Sequence, residues 1–177
     1  QDPYSIRCMP QVHGSVRTAL DHVSEVVTTE INSVTDNPLI FNDPKAVISG
    51  GNFHGEPLAL TADYMKIALS ELASISERRV NRLLHPELNG DLPAYLAEDP
   101  GINSGLMLAQ YTSASLVSEN KNLASPASVD SIPVSGDQED HVSMGMHSAK
   151  SLQKVTENVR DALAVELVTA CQAQEFA

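Results

Sequence analysis

Apolar residues along the chain recur at intervals of three and four, the spacing that places side chains on one face of an α-helix. From Val16 the series runs through Leu20, Val23, Val27, Ile31 and Val34 and predicts a long helix. Asp36, Asn37 and Pro38 are expected to end it, because proline lacks the amide donor and drives the preceding residue out of helical geometry. A second series passes through Leu58, Met65, Leu69, Leu72, Ile75 and Leu83, with Glu77, Arg78, Arg79 and Arg82 among the apolar positions. It should begin with Glu56 and Pro57 in its first turn and stop near His85 and Pro86. Residues 86–105, rich in Gly, Pro and Asn, read as loop with a short helix around Ala94 to Ala97, and another helix covers Leu106 to Leu123. Residues 124–141, "ASPASVDSIPVSGDQEDH", form a second long loop, and the last helix carries Leu152, Val155, Val159, Leu163, Leu167 and Ala170 on one side. No alternating strand pattern or internal repeat stands out, so the expected fold is all-α, a single bundle of long helices over residues 1–177. Stripes this wide need more neighbours than four helices supply, which points to an oligomer.

Composition narrows the partners. Of the 177 residues, 42% are hydrophobic and 19% charged, as in chains that fold rather than stay disordered. Eleven Lys and Arg against 23 Asp and Glu give a net charge of -12, which repels phosphate backbones and anionic lipid, so neither nucleic acid nor membrane is an expected partner. There is no long apolar run and no charged-then-apolar leader, and Cys8 and Cys171 fit no CxxC pattern; reduced thiols in the cytoplasm are the expectation.

Three loops hold the residues able to do chemistry. In "QDPYSIRCMPQVHG", residues 1–14, Tyr4 and Arg7 would share a face if the segment were helical. Arginine stays charged at working pH, and its planar fork grips a carboxylate through two parallel hydrogen bonds; an ordinary surface arginine beside a packed tyrosine is the plainer alternative. In "ISGGNFHGEP", residues 48–57, the glycines let the backbone approach a ligand closely, Asn52 tolerates unusual dihedrals, Phe53 offers an apolar wall, and His54 can orient a neighbour. A tight turn before a helix is equally compatible with those residues. In "SGDQEDHVSMGMH", residues 135–147, Asp137, Glu139 and Asp140 cluster beside Gln138 and His141. They can act as acids, bind a cationic group, or cap a helix with Asp137 as its N-cap. His141 and His147 have no recognised ligand spacing and no HExxH occurs, so no metal is expected; GxSxG, P-loop and GxGxxG motifs are absent too.

Read jointly, "QDPYSIR", "TDNPL", "SGGNFHGEP", "GINSG" and "QEDHVSMG" stand in the order and at roughly the intervals found in the aromatic amino acid ammonia-lyases. The resemblance covers essentially the whole chain and is strongest to members acting on histidine, to which His54 and the Glu-Asp-His run point. It implies the aspartase/fumarase-like helical core, a homotetramer, and elimination of ammonia from L-histidine to give urocanate. The electrophile in that family is a methylideneimidazolone formed from an Ala-Ser-Gly tripeptide, and this chain contains no Ala-Ser-Gly. The family's catalytic tyrosine base lies in an N-terminal part, so this chain is expected to be a fragment of a polypeptide of about 500 residues, well beyond one domain's usual length, and inactive alone.

Carried over by position, the resemblance gives Arg7 the substrate carboxylate and sets Tyr4 near the electrophilic ring, with Gln1 lining the same pocket. Phe53 would pack near ring and substrate, Asn52 and His54 would support its loop, and Glu139, with Gln138 beside it, would meet the imidazole or amino group. Pockets built from three subunits mean that these residues need not meet within one chain. Asp137 departs from the family, which commonly has Asn there. A relative acting on tyrosine or phenylalanine, an aminomutase, and a non-catalytic helical assembly module are the competing readings.

Overall fold

The computed structural model describes residues 1–177 and is built on one central helix. After a single turn, α1 (Tyr4–Arg7), come α2 (Met9–Ile31), a β-hairpin of β1 (Leu39–Asn42) and β2 (Lys45–Ile48), α3 (Glu56–Leu84), a 3₁₀ turn (Ala94–Leu96), α4 (Met107–Leu123) and α5 (Gly145–Gln174). The helix ends follow local chemistry. Pro57 occupies the first turn of α3, where its missing N–H is not needed, and Glu56 complements the positive end of the helix. His85 is already extended before Pro86.

Contacts between side chains set the directions of packing. Ser148 lies by Asp63 and Glu166 pairs with Arg79, so α5 runs parallel to α3. Gln110 of α4 donates to Asn81, while Lys66 of α3 reaches Ser125 just past the end of α4, so α4 runs antiparallel. The core lies between these helices in two clusters. Ala73 packs with Val155, Val159 and Ala162, the alanines allowing close approach; Val80 and Leu84 pack with Leu96 and Ala173 under the 3₁₀ turn. Burying each such valine or leucine contributes roughly 1.5–3 kcal/mol. Gly105, at φ +49°, sits where a Cβ would collide with the Tyr95 carbonyl, so the turn closes only on glycine.

Three expectations are corrected. A two-stranded antiparallel hairpin exists, joined through Asp43 and Pro44 with Leu39 opposite Ile48. Its strands are four residues long and almost wholly exposed, so no alternating burial marks them in the sequence. The first helix runs from Met9 to Ile31, beginning well before Val16 and ending before Asp36. Its apolar stripe is only partly covered: Val16 and Ala19 are buried, whereas Leu20 and Ile31 are exposed. Finally, Asp137 does not cap the last helix, which starts at Gly145; Asp137 lies in a turn at φ +66°.

Candidate active site

At one end of the bundle α1 supplies the arginine. Tyr4 and Arg7, three residues apart on that turn, do share a face, with the guanidinium 5.8 Å from the centre of the tyrosine ring. Arg7 Nη1 donates to Gln1 Oε1 at 2.5 Å, which brings the three together. Arg7 enters no ion pair, and Tyr4 is 73% exposed. The turn is held from beneath: Arg79 Nη1 donates to the Ser5 carbonyl at 3.3 Å while its fork grips the Glu166 carboxylate, Nη2 to Oε2 at 2.8 Å. Burial alone would raise the Glu166 carboxyl, but the Arg79 hydrogen bonds, then Ser76 and the nearby charges of Arg79 and His13, hold it below the ordinary glutamate range.

The opposite end gathers the glycine-rich loop and the loop before α5. Phe53, His54 and Gly55 line a shallow cavity of about 330 Å³ with Gln138, Glu139 and His141. The Glu56 N–H donates to His54 Nδ1 at 3.2 Å, which leaves the ring proton of neutral His54 on Nε2. That N–H faces the His141 carbonyl at 3.1 Å and His141 Nδ1 at 3.4 Å, and the two rings stack with centres 5.5 Å apart. His54 thus ties the two loops together. Asn52 is committed elsewhere: its amide donates to the Val34 carbonyl at 2.6 Å, closing the base of the hairpin with Asn37, whose Oδ1 accepts from Ser49 and Gly50. Glu139 exchanges backbone hydrogen bonds with Val134 at 3.1 and 3.3 Å, which turns the chain so that its exposed side chain stands at the tip beside Gln138. Phe53 is 55% exposed, and Glu139, like Arg7, takes part in no ion pair.

Within one chain the predicted residues therefore form two groups: Gln1, Tyr4 and Arg7 together, and Phe53, His54, Gln138 and Glu139 together. The first group hangs on Arg79 and the second on Glu56, 23 residues apart on α3, which at a rise of about 1.5 Å per residue is roughly 35 Å. A small molecule cannot bridge that span. The sequence reading missed His141 as the partner of His54, and it missed Arg79 and Glu166 because a charge pair 87 residues apart carries no local signature. No group of three or more His, Cys, Asp or Glu is placed to hold a metal, and no helix is long and apolar enough to cross a membrane.

The fold recurs in known proteins. Histidine ammonia-lyase of Symbiobacterium thermophilum is 61% identical over 176 residues, covering 99% of this chain and 34% of that protein. The crystal structure of histidine ammonia-lyase from Trypanosoma cruzi superposes with a TM-score of 0.96 at 53% identity, covering 99% of this chain and 35% of the other. Tyrosine aminomutase from Streptomyces globisporus superposes at 0.95 with 44% identity, covering 99% and 33%. The chain spans about a third of the length of these relatives. The aromatic amino acid lyase profile matches residues 1–177 from end to end, and with the shared helical fold this makes the chain a member of that family.

Proposed function

We propose that this chain is the part of a histidine ammonia-lyase that supplies the carboxylate clamp and the imidazole-facing wall, in an enzyme that eliminates ammonia from L-histidine to leave urocanate. One observation carries the reading: Arg7 and Glu139 are exposed, opposite in charge and free of ion-pair partners, and the segments bearing them are tied to buried or half-buried charge pairs. Histidine presents a carboxylate at one end and an imidazole at the other. The fork of Arg7 suits the first through two parallel hydrogen bonds, and the Glu139 carboxylate suits an imidazole N–H or the ammonium group. The phenol of Tyr4, beside Arg7, is available to the departing amine, and Phe53 gives the substrate an apolar wall.

Holding both ends fixes the conformation from which proton and amine leave, and that positioning is this chain's contribution to rate. The methylideneimidazolone of the family supplies electrophilic activation; with no Ala-Ser-Gly in residues 1–177 it is not made from this chain, and the exposed faces of Tyr4 and Phe53 fit beside a flat ring. Because the two groups lie roughly 35 Å apart in one copy, a working pocket takes Arg7 and Glu139 from different copies, in keeping with a homotetramer and with the uncovered stripe of α2. The unpaired thiols Cys8 and Cys171 suit the cytoplasm.

The test uses the full-length enzyme. Arg7→Ala and Glu139→Gln are each expected to lower kcat/KM for histidine by about 10³-fold without dissociating the oligomer. Co-expressed in equal amounts, the two variants should recover about a quarter of the sites, because random mixing in a closed oligomer gives each pocket an intact arginine half the time and an intact glutamate half the time. No recovery, or no turnover of histidine by the unmodified enzyme beside turnover of tyrosine or phenylalanine, would overturn the reading.

A further inference from the structure

Beneath the loop that carries Glu139 lies the buried charge pair to which that loop is tied. Asp63 and Lys66, one turn apart on α3, are 3% and 0% exposed, and Lys66 is the largest fully buried side chain of the molecule. Lys66 Nζ lies 2.7 Å from Asp63 Oδ1 and donates to the Ser125 carbonyl at 2.8 Å. Asp63 Oδ2 accepts the Ser128 N–H at 2.7 Å. Burial would raise the Asp63 carboxyl, but Lys66, Ser128 and Ser148 together hold it below the ordinary aspartate range, so the carboxylate stays charged.

Two buried charges add little net stability, because desolvation offsets most of their attraction. Their distinctive effect is directional: one fixes a carbonyl and the other an amide three residues on, so both position and heading of the chain are set where it leaves α4. The remaining links are short. The Val142 N–H donates to Ser131 Oγ at 3.0 Å, and Val134 and Glu139 pair through their backbones. An unbroken path of hydrogen bonds and a few loop residues thus leads from α3 to the tip of the loop.

We infer that Asp63 and Lys66 are positioning residues that set where Glu139 stands in the ammonia-eliminating pocket. This rests on the reading of Glu139 given above. In the full-length enzyme, Asp63→Asn with Lys66→Met removes both charges while keeping an acceptor for Ser128. Should that variant yield no soluble oligomer, Asp63→Asn with Lys66→Gln, which keeps a shorter donor, takes its place with the same readouts. Amide hydrogen exchange over residues 126–143 is expected to accelerate at least about tenfold, with residues 1–8 unchanged. Adding Glu139→Gln to the neutralised pair should lower kcat/KM at least about tenfold less than the same change does in the unmodified enzyme, because a displaced glutamate has little left to lose. A merely structural pair would lower the yield of oligomer and leave that factor intact. Unchanged exchange, or an equal effect of Glu139→Gln in both backgrounds, overturns the inference. A silent Glu139→Gln in the unmodified enzyme overturns instead the reading of Glu139, and the hold on the loop then stands or falls on the exchange rates alone.

Discussion

At the Arg79 end of the bundle a single helical turn is held by one side-chain contact to the Ser5 carbonyl, whereas at the Asp63 end the loop of residues 124–144 is held by two such contacts from α3, by His54 at the His141 carbonyl, and then by links of its own. Backbone order explains the difference. The turn Tyr4–Arg7 satisfies its own hydrogen bonds and continues almost directly into α2, so one anchor orients it. The loop has no repeating ladder and places Ser135, Asp137 and Met144 in the left-handed region, where most side chains are disfavoured, so its shape must be imposed from outside. An exposed charge on a helix needs a footing; one on a loop needs a frame.

The largest test of this contrast is Arg79→Met in the full-length enzyme. It leaves Glu166 half-buried without its cation, an expected loss of about 3 kcal/mol visible as a lower Tm, and it frees α1, with kcat/KM falling roughly 10²-fold. The two ends should then separate by inhibitor: Arg79→Met is expected to weaken competitive inhibition by acetate and leave that by imidazole nearly unchanged. Equal weakening of both would mean that the ends are not independent.

A smaller effect concerns acid. Asp63 and Glu166 both titrate lower in the folded chain than in the unfolded one, so the folded state binds fewer protons. The stability from these pairs is complete above the unfolded carboxylate values, roughly pH 4, and is lost as pH falls through the lower folded values. Melting temperature followed from pH 6 downward should therefore drop below roughly pH 4, and Asp63→Asn with Lys66→Met should flatten that slope. An unaltered slope would remove Asp63 from the account. The smallest change is Asp137→Asn. At φ +66° asparagine is the better tolerated residue, so a gain of about 0.5 kcal/mol is expected, read as a Tm rise of a degree or two.

Much of the scaffold could be read from residue order because its signals are local. Glu56 with Pro57 opens α3, and His85 with Pro86 closes it; the 3₁₀ turn and α4 fall where composition put them. Parts that depend on distant contacts were not legible. The hairpin strands are too short and exposed to leave a pattern, and Asp137 reads as a helix cap until the backbone is seen to turn there and reach α5 only at Gly145. Tyr4, Arg7 and Gln1 form one group as their spacing allows, yet nothing along the chain tells that Glu139 stands at the other end. Lys66 looks like any polar position on an amphipathic helix; its burial follows from Ser125, which lies 59 residues away.

Because both footings rest on α3, the separation of Asp63 from Arg79 works as a ruler marked in helical turns. Deleting one residue between them would swing one group about 100° around the axis relative to the other and draw it in by about 1.5 Å. Roughly seven residues must be added or removed together before both face the same way again, and in the proposed shared pocket the ends would then be misplaced by about 10 Å. In the assembly proposed above, the length of this helix matters more than most of the side chains along it, because the length sets how far apart the two groups stand.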